Sequence, residues 1–188
     1  RPGLDDKILC AWNAQMLQAY VRAYRAFGQE KHLSIALKNA AFIQDKFIGK
    51  DLRMYRNYKN GTVAINGFLD DYAFVISAFI ELYQVSFDEQ WLEQSKLLTE
   101  HCLQHFWDST AQMFYYTPDY NPALIARKKE LTDNVIPGSN SEMANNLFKL
   151  SLYYNQQDYR DKALQMLSNV ADNVLQNPTY FYNWGKLM

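Results

Sequence analysis

Three short polar clusters hold most of the residues whose types and spacing could do chemistry. The first is Asp5-Asp6-Lys7 running into Trp12-Asn13, the second is Gly67 through Ala73 with Asp70, Asp71 and Tyr72, and the third is Asp133 through Ser141 with Ser139, Asn140 and Ser141. Each precedes or opens an apolar helical segment, so the plainest role for its oxygens is helix capping: Asp70 or Asp71 would cap the helix that follows, and Ser139 with Glu142 fits a capping box. The macrodipole also favours negative charge at such a point. A cap needs only one side-chain oxygen, however, and Asp5-Asp6 and Asp70-Asp71 each supply two adjacent carboxylates. Crowding like charges raises one pKa, and a protonated carboxyl beside an ionised one is what acid/base cleavage of a glycosidic bond requires. Asp70, Asp71 and Asp133 are therefore the candidate catalytic residues. Asp5, Asp6, Lys7, Trp12, Asn13, Tyr72, Asn140 and Ser141 are the candidate substrate-binding residues.

The elements that must position these clusters are helices. Apolar residues recur at helical spacing over 6–27, 31–48, 69–84, 88–106, 140–155 and 158–174, separated by Gly, Pro, Asn and Asp. His32-Leu33 with Ala36, Trp91-Leu92 with Ser95, and Tyr159-Arg160 with Ala163 occupy matching places at offsets of 59 and then 68 residues. The same shifts carry Met54-Tyr55-Arg56 onto Met113-Phe114-Tyr115 and then Phe181-Tyr182-Asn183, and Trp12 onto Asp71 and Ser139. A register that holds at separate places marks a repeat of helix pair plus connector. The spacing predicts an all-α fold of three helical hairpins over residues 1–188, treated as one domain, with Arg53–Tyr58 against Thr62–Ile65 and Gln112–Thr117 against Leu124–Lys128 as short β-hairpin decorations. The first-helix starts are expected at one polar mouth.

Composition narrows the function classes. The 19 basic and 20 acidic residues nearly cancel and form no stripe, which argues against nucleic acid as a partner. Aromatic residues make up 15%, 14 of them Tyr, a composition that suits both sugar stacking and large helical cores. The longest strongly apolar stretch, Ala73 to Ile80, is too short for a membrane span. Cys10 and Cys102 show no CxxC or Cys/His spacing and read as free thiols of a reducing, cytoplasmic compartment. His101 and His105 lie four apart without the Glu of a zinc-binding helix, so no metal and no cofactor is expected. No phosphate loop or nucleophile elbow is present. Arg1-Pro2-Gly3, with no initiator Met, reads like the interior of a longer protein.

At the motifs Arg1-Pro2 with Leu4-Asp5-Asp6-Lys7-Ile8-Leu9 and Trp12-Asn13, Gly67 through Ala73, and Asp133 with Pro137 and Asn140-Ser141, the chain resembles the C-terminal helical region of a known family. It is the thioredoxin-domain-containing family that includes the bacterial YyaL-like proteins and the mammalian spermatogenesis-associated protein 20. Gly138 stands where that family has Ser after the Pro. The resemblance implies an upstream thioredoxin-like domain and a helical part similar to six-hairpin glycosidases and N-acylglucosamine 2-epimerases, an (α/α) toroid of which three hairpins are one half. Redox activity does not carry over, since there is no CxxC here. The histidines that such epimerases use have no counterpart either, because His32, His101 and His105 fall on second helices. Two functions stay open: a sugar-active enzyme of glycoside-hydrolase type, or a non-catalytic module whose polar mouth holds a glycan, a small molecule, a peptide or a partner domain. Three hairpins leave terminal flanks expected to meet the rest of a parent protein or a second copy.

Overall fold

The structure is a computed structural model that describes residue 3, residues 5–122 and residues 125–188. Arg1, Pro2 and Leu4 of the first motif, and Leu124 of the second expected hairpin, lie outside the described residues. In order the elements are β1 (Ile8–Leu9), α1 (Cys10–Phe27), α2 (Glu30–Phe47), β2 (Tyr55–Lys59), β3 (Thr62–Asn66), α3 (Leu69–Ser86), α4 (Glu89–His105), β4 (Trp107–Asp108), β5 (Met113–Phe114), α5 (Ser139–Tyr154), α6 (Gln157–Gln176) and α7 (Tyr182–Gly185). The fold is thus all-α with small antiparallel sheets, three helical hairpins of the (α/α) toroid type. Two compact units divide it, residues 1–98 and residues 99–188.

In the first unit α1 lies against both α2 and α3. Its inward face carries Ala14, Leu17 and Val21, and α3 is buried all round from Leu69 to Leu82, the pattern of a helix enclosed by its neighbours. Phe79 meets Trp91 at the start of α4, ring centroids 5.1 Å apart. Each such buried aromatic contributes about 2–3 kcal/mol through area removed from water. In the second unit α5 packs on α6 and α7, with Leu147, Leu150, Tyr159, Met166 and Trp184 buried.

Helix ends follow the repeat closely. α1, α3 and α5 end in left-handed residues, Gly28 (φ 63°), Phe87 (φ 55°) and Asn155 (φ 48°), which are 59 and 68 residues apart. The starts of α1 and α3 keep the same offset of 59, and the start of α5 departs from it. α1 begins at Cys10 and not near residue 6, because Ile8 and Leu9 pair antiparallel with Tyr58 and Asn57 as the edge of sheet β1-β2-β3. α5 begins at Ser139, two residues later than the register from α3 implies, since Asp133 ties the preceding turn. The hairpin of β2 and β3 forms as expected. For the second, β5 pairs back with Trp107 and Asp108 of β4, and among the described residues the expected strands share a backbone bond from Tyr116 N–H to the Lys128 carbonyl, 2.8 Å.

Gly and Asn are the residues that adopt a left-handed cap without strain, whereas the Cβ of Phe costs about 1–2 kcal/mol there. Phe87 is also 78% exposed, so burial returns little. We expect Phe87→Asn to stabilise the protein by about 0.5–1 kcal/mol in urea unfolding with unchanged m; a loss of stability would mean that the ring has a stabilising partner.

Candidate functional site

The first-unit cluster forms where the connector strand β2 passes the start of α3. Arg56 on β2 places Nη1 3.0 Å from Asp70 Oδ1 and 2.9 Å from Asp71 Oδ2, while its guanidinium stacks 4.9 Å from the Phe68 ring. One nitrogen touches both carboxylates, so the two acids share a single cation. Asp71 does more than cap. Its Oδ2 accepts the Phe68 N–H (3.0 Å), and its Oδ1 accepts the Ala11 N–H of α1 (3.2 Å). One carboxyl therefore serves the first turns of two helices. Asp70 Oδ1 accepts the Asp71 N–H at 3.0 Å.

The N-cap of α3 is Phe68, and neither aspartate occupies it. Asp71 sits at the third helical position and supplies the carboxylate half of a capping box, for which Phe68 has no reciprocal oxygen. Burial is the largest influence on Asp71 and raises it, with the Asp70 charge adding to the effect. Arg56 and the N–H groups of Phe68 and Ala11 pull the other way, and the balance is a carboxyl pushed up to about 7. Burial, with the Asp71 and Asp70 charges, also pushes the Cys10 thiol well up, which keeps it unreactive.

The second-unit cluster is built on Asp133, which is buried. Its Oδ1 accepts the Gly138 N–H (2.8 Å) and the Ser141 hydroxyl (2.7 Å), and its Oδ2 accepts the Asn183 N–H (2.8 Å). Gly138 is the N-cap of α5. A Cβ there would lie 2.8 Å from the Thr132 carbonyl oxygen, so this turn requires a glycine. The Ser139 capping box does not form: Ser139 is the first helical residue, its buried hydroxyl has no partner among the described residues, and Glu142 accepts Asn183 Nδ2 at 2.9 Å.

The remaining candidates divide by exposure. Tyr72 is fully buried, and its hydroxyl accepts the Met54 N–H at 2.8 Å. Asn140 is equally buried and clamps Phe114, accepting its N–H (2.8 Å) and donating to its carbonyl (3.0 Å). Trp12 is 65% exposed, and Asn13 Nδ2 donates to the Leu9 carbonyl at 2.8 Å. Asp5 pairs with Lys7 (3.4 Å) and Asp6 with Lys59 (2.5 Å) at the surface, where Lys7 joins Asn57, Lys59 and Thr62 around a shallow recess over the sheet. Arg56 is the site residue that sequence reasoning missed. The repeat had placed it in an aromatic connector beside Met54 and Tyr55, and that position was the available signal. His32 lies on α2, and His105 on α4 places Nδ1 2.9 Å from Asp119 Oδ1. No group of three or more His, Cys, Asp or Glu among the described residues could hold a metal ion.

No protein-family model matches this sequence. The human protein named spermatogenesis-associated protein 20 is 30% identical over 188 residues, 95% of this chain and 24% of that protein. The chain is homologous to part of spermatogenesis-associated protein 20. It spans about a quarter of the curated relatives it matches. Among solved structures, a sugar epimerase from a ruminal bacterium superposes with a TM-score of 0.72 at 12% identity, covering 90% of this chain and 46% of that one. A GH76 α-mannanase from Bacteroides thetaiotaomicron gives 0.70 at 14%, covering 91% and 46%. At these identities the likeness establishes the helical-hairpin fold.

The Asp71 environment predicts a pH dependence whose sign follows from linkage. Between the unfolded carboxyl value near 4 and the folded value of about 7, the native state holds a proton that the unfolded chain has released. Stability therefore falls as pH rises through that window, by up to about 1.4 kcal/mol per unit. Asp70→Asn removes the neighbouring charge and should reduce the loss between pH 5 and 7.5; parallel stability curves for variant and wild type would show that Asp70 is not coupled to Asp71.

Proposed function

We propose that the chain is the carbohydrate-handling part of a helical-hairpin protein, with Asp70 and Asp71 as the acid/base pair. The carrying observation is the buried pair of adjacent carboxyls that shares one guanidinium, with Asp71 pushed up to about 7. Asp71 is thereby able to hold a proton near neutral pH beside a second carboxyl, the kind of pair that general acid/base cleavage of a glycosidic bond uses. Arg56 favours the ionised form of Asp71 against the larger effect of burial. Exposed Trp12, with Asn13 and Lys7, offers a stacking face and polar contacts for a sugar ring. The names of the solved neighbours, a sugar epimerase and an α-mannanase, agree with a saccharide as ligand. In this reading Asp133 acts as a support that holds the turn before α5.

A second reading, a binding module without turnover, is favoured by a different observation. Both oxygens of Asp71 and both of Asp133 accept N–H or O–H groups from the chain itself, as structural caps do. Among the described residues no helix is long and apolar enough to cross a membrane. The buried, unpaired Cys10 and Cys102 suit the reducing conditions of cytoplasm.

The test is a panel of manno- and gluco-oligosaccharides against the natural full-length protein, read by thermal shift and by chromatography of products. A saccharide bound by the native state raises the apparent stability. Under the enzymatic reading, products form and fall by about 10²–10⁴-fold in Asp71→Asn. Binding without products would select the module, and neither binding nor products would overturn the carbohydrate reading.

A further inference from the structure

The outer face of sheet β1-β2-β3 carries a recess of about 350 Å³, lined by Lys7, Asn57, Lys59, Asn60, Thr62 and Ala64. The strand pairing gathers these residues on one side. Thr62 stands opposite Lys59 and Ala64 opposite Asn57, and the β1 register, Ile8 with Tyr58 and Leu9 with Asn57, continues to bring Lys7 opposite Lys59. Like charges directly opposite across two strands are unfavourable unless an anion lies between them. The chain's own carboxylates take that place here, Asp5 reaching Lys7 at 3.4 Å and Asp6 reaching Lys59 at 2.5 Å. Asp6 serves both ammoniums: its carboxyl is held below the usual value by the Lys59 hydrogen bond foremost and by the Lys7 charge more weakly. These four side chains are 44–72% exposed, so solvent screens the pairs and a carboxylate arriving from outside displaces them at little cost. Asn57 adds an independent sign. Its Oδ1 is buried with no hydrogen-bond partner among the described residues, a costly state, and the soft amide torsion of Asn lets a modest turn present that oxygen to a ligand hydroxyl.

We propose that this recess is the subsite for a carboxylate-bearing ring of an acidic saccharide, with Lys7 and Lys59 as its paired cations and Asn57 and Thr62 as partners of its hydroxyls. The inference rests on the carbohydrate reading, whose Lys7 it shares, and narrows the ligand to an acidic sugar. The methylene stems of the two lysines and the Ala64 methyl offer apolar surface to the C–H face of a ring, while the ammoniums hold its charged end. A carboxylate is favoured over a phosphate because two carboxylates of the chain already fit the lysines. In this arrangement Asp5 and Asp6 are competitors that the ligand displaces.

Isothermal titration calorimetry of the natural full-length protein with glucuronate, glucose and glucose 6-phosphate tests it. Glucuronate should bind at least about tenfold more tightly than glucose, and Lys7→Met or Lys59→Met, which keep the apolar stem and remove the cation, should each erase most of that difference. Asp6→Asn removes a competing carboxylate and should tighten glucuronate by about threefold. No binding of glucuronate, equal affinity for glucuronate and glucose, tighter binding of glucose 6-phosphate than of glucuronate, or weaker binding in Asp6→Asn would each overturn the proposal. The neutral oligosaccharide panel decides the carbohydrate reading separately, so its failure is told apart from a failure of the acidic subsite.

Discussion

The Asp71 carboxyl is the contact on which the first half of the chain depends. It accepts the Ala11 N–H at the start of α1, the Phe68 N–H at the start of α3, and Arg56 from the connector between them. Three segments far apart in sequence are fixed by one side chain, and the Asp70 charge lies beside it. Had the pair served only as caps, two well-solvated carboxylates would have sufficed. Burial adds the conflict that raises Asp71, because two anions and one guanidinium leave an uncompensated charge away from water. The chemical interest of the site and its structural cost come from the same arrangement.

The second unit solves a similar problem differently. Asp133 stands before its helix and gathers Gly138, Ser141 and Asn183 with donors that match its lone pairs. Asn183 serves a second carboxylate as well, but through a separate donor, its Nδ2 on Glu142. The comparison separates a carboxyl whose hydrogen bonds account for it from one whose surroundings are in conflict. Tyr72 and Asn140 play parallel parts in the two units, each anchoring the backbone of the preceding connector.

Much of this was legible in the sequence. The helices followed from apolar spacing, and the offsets of 59 and 68 recur in the left-handed residues Gly28, Phe87 and Asn155. The first β-hairpin was readable as Arg53–Tyr58 against Thr62–Ile65. The loss of Ile8 and Leu9 from α1 was not readable, because their pairing partners are about 50 residues away and period alone cannot separate a short strand from a first helical turn. The second hairpin departs from expectation for a related reason: Trp107 and Asp108 directly follow α4 and capture Met113 and Phe114 locally. Caps were misassigned because Asp71 and Ser139 have the right chemistry one to three residues inside the helix. Arg56 escaped because a cation on a connector acquires meaning only when the fold brings it to Asp70 and Asp71.

The central claim is that burial and Asp70 outweigh Arg56 and the backbone donors at Asp71. A carbon-13 NMR titration of the Asp71 side-chain carboxyl in the native protein measures this directly. The account predicts a midpoint of about 7, and a midpoint near 4 or below, in the ordinary carboxylate range, would contradict it.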